Sequence, residues 1–318
     1  MEEQGRLPTR EGVVSALERV APHVTRTPLL PFEWEGRRLW VKAECLQQGG
    51  AFKLRGATNR LLQLDADERR RGVVAFSSGN HARGVAIAAR RLGVAATIVM
   101  PADAPAVKRE ATEAEGARIV AYDRATEDRI AISARIAQET GAIIVPSFDD
   151  VDIIEGQGTV GLEIAAQLGR EPPAVVVPCG GGGLSAGIAL ALPGSLVVPV
   201  EPAGWDDMAR SLEQGAIVGV DPAAPATRCD ALQTPLVSPL TYGVLAARGA
   251  RGLAVTEAEV EHAMRVAFAL LRLVVEPGGA AALAALLAGK VDLAEDSVVV
   301  LSGGNVDPAL YASIVAGD

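Results

Sequence analysis

Lys53 lies in the stretch GGAFKLRGATN (49–59), between Phe52 and Leu54 and just after a pair of glycines. A lysine head group normally stays in water, so apolar neighbours on both sides raise the question of what this amine does. Kept from water, an amine loses its proton more readily and becomes a nucleophile and a base. Four other stretches bring chemistry of their own: SSGNH (77–81), CGGGG (179–183), EPAGWDD (201–207) and SGGN (302–305). In CGGGGLSAG (179–187) successive glycines join an apolar run to a helix-like segment. Uncovered amides at the positive end of a helix suit a phosphate.

Two phosphate ligands fit that turn. Gly181, Gly183 and Ala186 match the dinucleotide pattern G-x-G-x-x-G/A, with Glu201 placed as a ribose-binding acid. This reading, a nicotinamide (NAD)-binding oxidoreductase, leaves Lys53, SSGNH and SGGN without work. The other ligand is a phosphate monoester such as pyridoxal 5'-phosphate. That cofactor needs a Schiff-base lysine, a phosphate cup, a partner for its ring nitrogen and a donor to its ring oxygen. Lys53 beside Phe52 supplies the first, and Gly180, Gly181, Gly182 and Gly183 the second. Ser302 supplies the third and Asn80 the fourth. A non-catalytic binding protein that kept the same fold is the remaining alternative.

The elements that position these residues alternate in type. VVAF (73–76), ATIVM (96–100), RIVAY (118–122), AIIVP (142–146), AVVVP (174–178), LVVPV (196–200) and VVVLS (298–302) are continuous apolar runs of strand length. Such runs suit parallel strands covered on both faces. Helical periodicity fills the gaps, as in HARGVAIAARRL, TEDRIAISARIAQ and EAEVEHAMRVAFALL, and the alanine-rich 279–288 reads as a buried helix. The pattern predicts α/β architecture with doubly wound, mostly parallel open sheets and ligands at the carboxyl ends of strands.

Composition narrows the function classes. The net charge of −9, with no long basic stretch, argues against nucleic acid as a partner. The cysteines (Cys45, Cys179, Cys229) and histidines (His23, His81, His262) are too scattered for a disulfide framework or a histidine-rich metal site. No apolar run has membrane-spanning length, and MEEQGRLPTREG has no apolar leader core, so a cytoplasmic location is expected.

Taken together, TPL (27–29), AFKLRGA (51–57), SSGNHARG (77–84), GQGT (156–159), GGGG (180–183), EP (201–202), VEPGGA (275–280) and SGGN (302–305) resemble the fold-type II pyridoxal-phosphate enzymes. The resemblance is to the serine/threonine dehydratase and serine racemase group, and it spans nearly the whole chain. Two departures stand out: Ala51 where a serine is usual, and CDA (229–231) where a glycine often follows the aspartate. Only 306–318 follows SGGN, so no C-terminal regulatory domain is expected.

The resemblance implies a large cofactor-binding domain (1–69 and 149–318), a small mobile domain (70–148) and a homodimer. It implies dehydration and deamination of an amino acid such as L-threonine or L-serine to a 2-oxo acid and ammonia, with Lys53 as Schiff-base amine and α-proton acceptor. Ser77, Ser78, Asn80 and His81 would bind the substrate carboxylate at the start of a helix, which Ser77 or Ser78 would otherwise simply cap. Ser78 matches the second acid/base of racemases, so racemase activity is chemically allowed. Neutral Ser302 favours elimination over a long-lived carbanion.

Glu276 would lie near the cofactor ring; its plainer role is a helix-terminal acid ahead of Pro277. Glu201, the Trp205 carbonyl and Asp207 would hold a divalent cation, Mg2+ or else Ca2+ or Mn2+, against the plainer reading of a solvated acidic turn. Threonine, serine, 3-hydroxyaspartate and phenylserine all carry the required hydroxyl; Phe148, Arg129 and 229–235 are candidates for choosing among them.

Overall fold

The computed structural model describes residues 6–104 and 106–317; the first five residues of the N-terminal segment lie outside them. The strands are β1 (Leu29–Trp34), β2 (Arg37–Ala43), β3 (Val73–Phe76), β4 (Ala96–Pro101), β5 (Arg118–Tyr122), β6 (Ile143–Ile144), β7 (Ala174–Pro178), β8 (Leu196–Pro202), β9 (Leu253–Val255) and β10 (Val298–Leu301). They form a six-stranded sheet in the order β1-β2-β10-β7-β8-β9 and a four-stranded sheet in the order β5-β4-β3-β6. Every pairing is parallel except β1 with β2. Apolar clusters cover both faces of each sheet. Both sheets are doubly wound.

The expected strands are all present, with one shortened. AIIVP keeps only Ile143–Ile144 in the ladder, at the sheet edge where β3 is its sole neighbour. The sequence reading missed β9 and the β1–β2 hairpin. LLPFEW and RRLWVKA carry Pro31 and several charges, which disguise them as loop. Their turn is Glu35-Gly36, both at positive φ (49° and 76°), the geometry that continues strand twist through a two-residue hairpin. The alanine-rich helix runs Pro277–Leu287 and is buried almost throughout, as expected.

Three helices carry the site: Lys53–Leu62, Asn80–Leu92 and Val151–Leu168. They cross closely because glycines meet at the contacts. A Cβ on Gly156 would stand 2.6 Å from the Cα of Gly56, and one on Gly84 would press the Lys53–Leu54 backbone at 3.1 Å. A Cβ on Gly158 would lie 2.6 Å from the Gly187 carbonyl, in the helix after the glycine turn. GQGT is therefore a packing motif that brings the lysine helix to the glycine turn. Among the described residues no helix is long and apolar enough to cross a membrane.

Candidate active site

The turns singled out in the sequence follow β3, β7, β8 and β10, all at strand carboxyl ends. Lys53 opens its helix directly beside the turn after β10. Ala51 bridges Gly303, the Phe52 amide donates to the Ser302 carbonyl at 3.1 Å, and the Gly304 amide donates to the Gly50 carbonyl at 2.8 Å. The Lys53 amine is half-buried, stands 5.1 Å from the Phe52 ring centre and donates to the Ser147 carbonyl at 2.8 Å. Burial pushes it down to about 8, against a weaker opposing pull from Cys179. The other lysines each have a carboxylate: Lys42 has Glu163, Lys108 has Asp230 and Lys290 has Glu259. Among the described residues Lys53 has only a neutral carbonyl.

The glycine turn has no room for side chains. A Cβ on Gly181 would fall 2.3 Å from the Phe148 ring, one on Gly180 would meet Thr234 at 3.1 Å, and Gly182 has φ +84°. Among the described residues no backbone carbonyl takes the amides of Gly180 and Gly181, which suits an anion there. Cys179 is a core residue, 1% exposed, its thiol donating to the Gly180 carbonyl at 3.3 Å. Burial holds that thiol well above its ordinary value. The Ser302 hydroxyl makes no hydrogen bond among the described residues, although the residue is 5% exposed.

Asn80 joins the two sheets' turns. Its amide nitrogen donates to Glu276 at 2.5 Å, and its oxygen accepts from Asn305 at 2.8 Å. Asn305 also donates to the Gly49 carbonyl at 2.7 Å and accepts from Arg83 at 2.9 Å. Burial raises Glu276 to about 7, opposed by the Asn80 hydrogen bond. Glu276 does stand at the N-cap before Pro277, but its side chain caps nothing there and turns to Asn80. A cavity of about 350 Å³ lies beside this network, lined in part by Asn80, Arg83, Asn305, Lys108 and Asp307 but not by Lys53.

Residues 20–303 match the family model of pyridoxal-phosphate dependent enzymes. The chain belongs to that family. It is 41% identical to an L-threo-3-hydroxyaspartate ammonia-lyase from Pseudomonas sp, covering 96% of this chain and 98% of the relative. It is 38% identical to a serine racemase from Arabidopsis thaliana, covering 93% and 92%. The solved structure of maize serine racemase superposes with a TM-score of 0.91 at 36% identity, covering 98% of each chain. A solved threonine deaminase from T.th. gives 0.87 at 42%, covering 94% of this chain and 99% of the other. The nicotinamide reading ends here. Glu201 also argues against it, because both carboxylate oxygens accept backbone amides, from Met208 at 3.1 Å and Ala209 at 2.8 Å.

A pyridoxal-phosphate enzyme of this kind must hold its cofactor between the lysine and the phosphate cup. The amine without a counter-charge, the glycines with free amides and the unpaired Ser302 hydroxyl fit that cofactor. At the start of the Asn80–Leu92 helix the N-cap is Gly79 and no side chain caps it, so the plainer reading of Ser77 or Ser78 as its cap does not hold. Ser77 instead accepts from the Gly79 amide at 3.2 Å, and the Ser78 hydroxyl makes no hydrogen bond among the described residues. His81 is 2% exposed and donates from Nε2 to the Val145 carbonyl at 2.9 Å. Burial and then Lys53 push its pKa down to about 3, so the ring is neutral and brings no charge to a carboxylate. Only its main-chain amide is left for that role.

The acidic turn after β8 is not solvated: Glu201 is 0% and Asp207 1% exposed. Burial raises both carboxyls, Asp207 to about 6, and Glu201 is raised further by Asp207. Asp207 Oδ2 is buried without a partner. Trp205 donates its amide to the Pro202 carbonyl at 2.9 Å and its indole to the Pro225 carbonyl at 2.8 Å. Among the described residues no group of three His, Cys, Asp or Glu side chains could hold a metal. A set completed by a main-chain carbonyl has only two such side chains.

Of the specificity candidates, Phe148 walls the glycine turn, Thr234 and Leu232 abut Gly180, and Arg129 stacks on Phe76 at 5.6 Å. Sequence reasoning missed the Ser147 carbonyl, Arg83 and the bridging role of Asn305. The last lay inside SGGN and was open to notice; a main-chain acceptor leaves no trace in sequence.

Proposed function

We propose that this chain catalyses the pyridoxal-phosphate-dependent β-elimination of a β-hydroxy amino acid, releasing a 2-oxo acid and ammonia. The observation that carries the reading is Lys53, the lysine held against a neutral carbonyl while the other lysines have carboxylates. When bound, the cofactor withdraws electrons from the amino acid's α-carbon and makes its hydrogen acidic. Lys53 and Phe52 would hold it on one side, Gly180 to Gly183 would take its phosphate, Asn80 would serve its ring oxygen and Ser302 its ring nitrogen, and Glu276, bonded to Asn80, would lie near the ring.

The amides that start the Asn80–Leu92 helix, with Ser77 and Ser78, take the substrate carboxylate, since a helix N-terminus favours negative charge. Lys53 Nζ, already desolvated, accepts the α-proton. The β-hydroxyl leaves as water after gaining a proton, and water then replaces the amino nitrogen, so the net change is loss of ammonia. Packing of the 70–148 unit over the cleft excludes bulk water during these transfers. Relatives named as hydroxyaspartate ammonia-lyases and as a threonine dehydratase support this reaction class.

Racemisation is a second reading, favoured by one observation: the half-buried Ser78 hydroxyl is unpaired and stands in the same turn as Asn80. A hydroxyl opposite Lys53 could return a proton to the other face.

Glu201, the Trp205 carbonyl and Asp207 are proposed to hold Mg2+, Ca2+ or Mn2+, whose charge would relieve two adjacent buried carboxylates and brace the turn. A homodimer is proposed, in keeping with the exposed apolar Phe268, Leu270 and Val274. The location proposed is the cytoplasm.

The test is to incubate the cofactor-loaded protein with threonine, serine and 3-hydroxyaspartate, following 2-oxo acid, ammonia and enantiomer composition. Oxo acid and ammonia in equal amounts are expected. Enantiomer exchange without oxo acid would replace elimination by racemisation.

A further inference from the structure

Two residues beyond Lys53 on the same helix, Arg55 is fully buried. Its Nε and Nη2 donate to the two oxygens of Glu44, each at 2.8 Å. Nη1 and Nη2 donate to the two oxygens of Glu163, at 2.7 and 2.9 Å, and Nη2 also reaches the Thr25 carbonyl at 3.2 Å. Lys42 completes the set, donating to Glu163 at 2.6 Å, the Thr27 carbonyl at 2.9 Å and Gln167 at 3.0 Å. Two cations and two carboxylates neutralise one another in the core. Burial acts to raise the Glu44 carboxyl, but the Arg55 guanidinium, Lys42 and the Thr27 hydroxyl together outweigh it and hold the group below its ordinary value.

Stability alone does not account for this arrangement. An apolar core of the same shape often serves as well as a buried ion network. What a guanidinium fork gripped on two sides adds is direction: it fixes the roll of the helix that carries it. Residues two apart on a helix face roughly opposite ways, about 200° around the axis. The grip on Arg55 therefore holds one face of the Lys53–Leu62 helix while the amine projects from the other. Farther along the helix Asn59 donates to the Asp152 carbonyl at 2.7 Å and accepts from Arg19 at 2.9 Å, and Arg60 pairs with Asp150 at 3.2 Å; of these polar side-chain grips, the one on Arg55 lies nearest Lys53.

We propose that Arg55 is a positioning residue: clamped between Glu44 and Glu163, it sets the roll of its helix and so holds the Lys53 amine on the Ser147 carbonyl. The proposal deepens the reading of Lys53 as the cofactor-bearing amine. A merely structural Arg55 would change melting temperature alone. A positioning Arg55 also controls how well the amine is kept from water, which its titration reports.

The experiment labels the apoprotein with limiting acetic anhydride across a pH series and quantifies acetylation of Lys53 by peptide mass spectrometry. Arg55→Lys keeps the charge, but one ammonium cannot span both carboxylates; Glu163→Gln keeps the shape and removes one charge. Leu39→Ala is the control, a core truncation in β2 that leaves every network residue in place. In both network variants the Lys53 midpoint should rise by about one pH unit or more, roughly a ten-fold change in protonation equilibrium. Leu39→Ala should lower the melting temperature and leave the midpoint where it is. An unmoved midpoint in folded Arg55→Lys and Glu163→Gln would overturn the proposal, as would an equal shift in Leu39→Ala. Where Arg55→Lys does not fold, Glu163→Gln decides. Because the label needs no cofactor, the outcome stands apart from whether pyridoxal phosphate attaches at Lys53, which borohydride fixation reads separately.

Discussion

Lys42 and Lys53 stand eleven positions apart, and the protein treats them in opposite ways. Lys42 is 0% exposed and donates to three acceptors, one of them the Glu163 carboxylate. Lys53 is less buried, yet it has one acceptor, and that acceptor is neutral. Burial lowers the pKa of both amines, against the pull of Glu44 and Glu163 at Lys42, and takes Lys53 down to about 8. Counter-charge separates them. A lysine surrounded by acceptors becomes part of the frame, while one denied a counter-charge is ready to lose its proton and react.

The largest effect that tests this contrast is loss of Lys53. Lys53→Met should lower turnover by at least about a thousand-fold, as expected for a group that is both attachment point and base. The same change should stabilise the apoprotein at neutral pH. Below pH 8 both folded and unfolded chains carry the proton, and the folded state bears the desolvation. Between about 8 and 10.5 the unfolded chain binds more protons, so stability rises with pH and the variant's advantage shrinks. With partial exposure taken into account, that advantage at pH 7 is about 2 kcal/mol, to be read from denaturant melts.

Lys42→Met should do the reverse. It leaves a buried carboxylate short of one partner and should lower stability by about 3 kcal/mol, while pyridoxal phosphate still attaches at Lys53. If instead Lys42→Met abolished attachment in a folded protein, the division between frame and reactive lysine would fail.

Glu276→Gln sharpens the contrast from the acid side. The folded carboxyl is raised to about 7 by burial, so the folded state binds the extra proton between about 4.5 and 7 and loses stability as pH rises through that window. Glutamine keeps the Asn80 contact without that titration. The variant should match the parent near pH 4 and exceed it by about 2 kcal/mol at pH 8. A chelator should have the smallest effect, lowering the melting temperature by a few degrees through loss of a cation from Glu201 and Asp207. Unchanged melting with and without added Mg2+, Ca2+ and Mn2+ would remove the metal.

Much of the site was legible in sequence because its chemistry lies in strand-end turns, where glycine and polar residues interrupt apolar runs. Lys53, the glycine turn, SSGNH and SGGN could each be named, and the strands that carry them were visible as β-branched runs. The frame was far harder to see. Arg55, Lys42, Glu44 and Glu163 are charged residues, which sequence patterning assigns to solvent, and their mutual neutralisation exists only once distant segments meet. GQGT was recognised as a motif without a role, because its glycines act by allowing helices to cross closely. The same limit applies to His81: its place in the motif suggested substrate contact, whereas the fold turned its ring to the Val145 carbonyl.

The most direct measurement is borohydride reduction of the protein loaded with pyridoxal phosphate, followed by mass mapping of its four lysines. A phosphopyridoxyl group on Lys53, with Lys42, Lys108 and Lys290 unmodified, is the expected result. The group on any other lysine, or on none after full reconstitution, would contradict the assignment of Lys53 as the reactive amine.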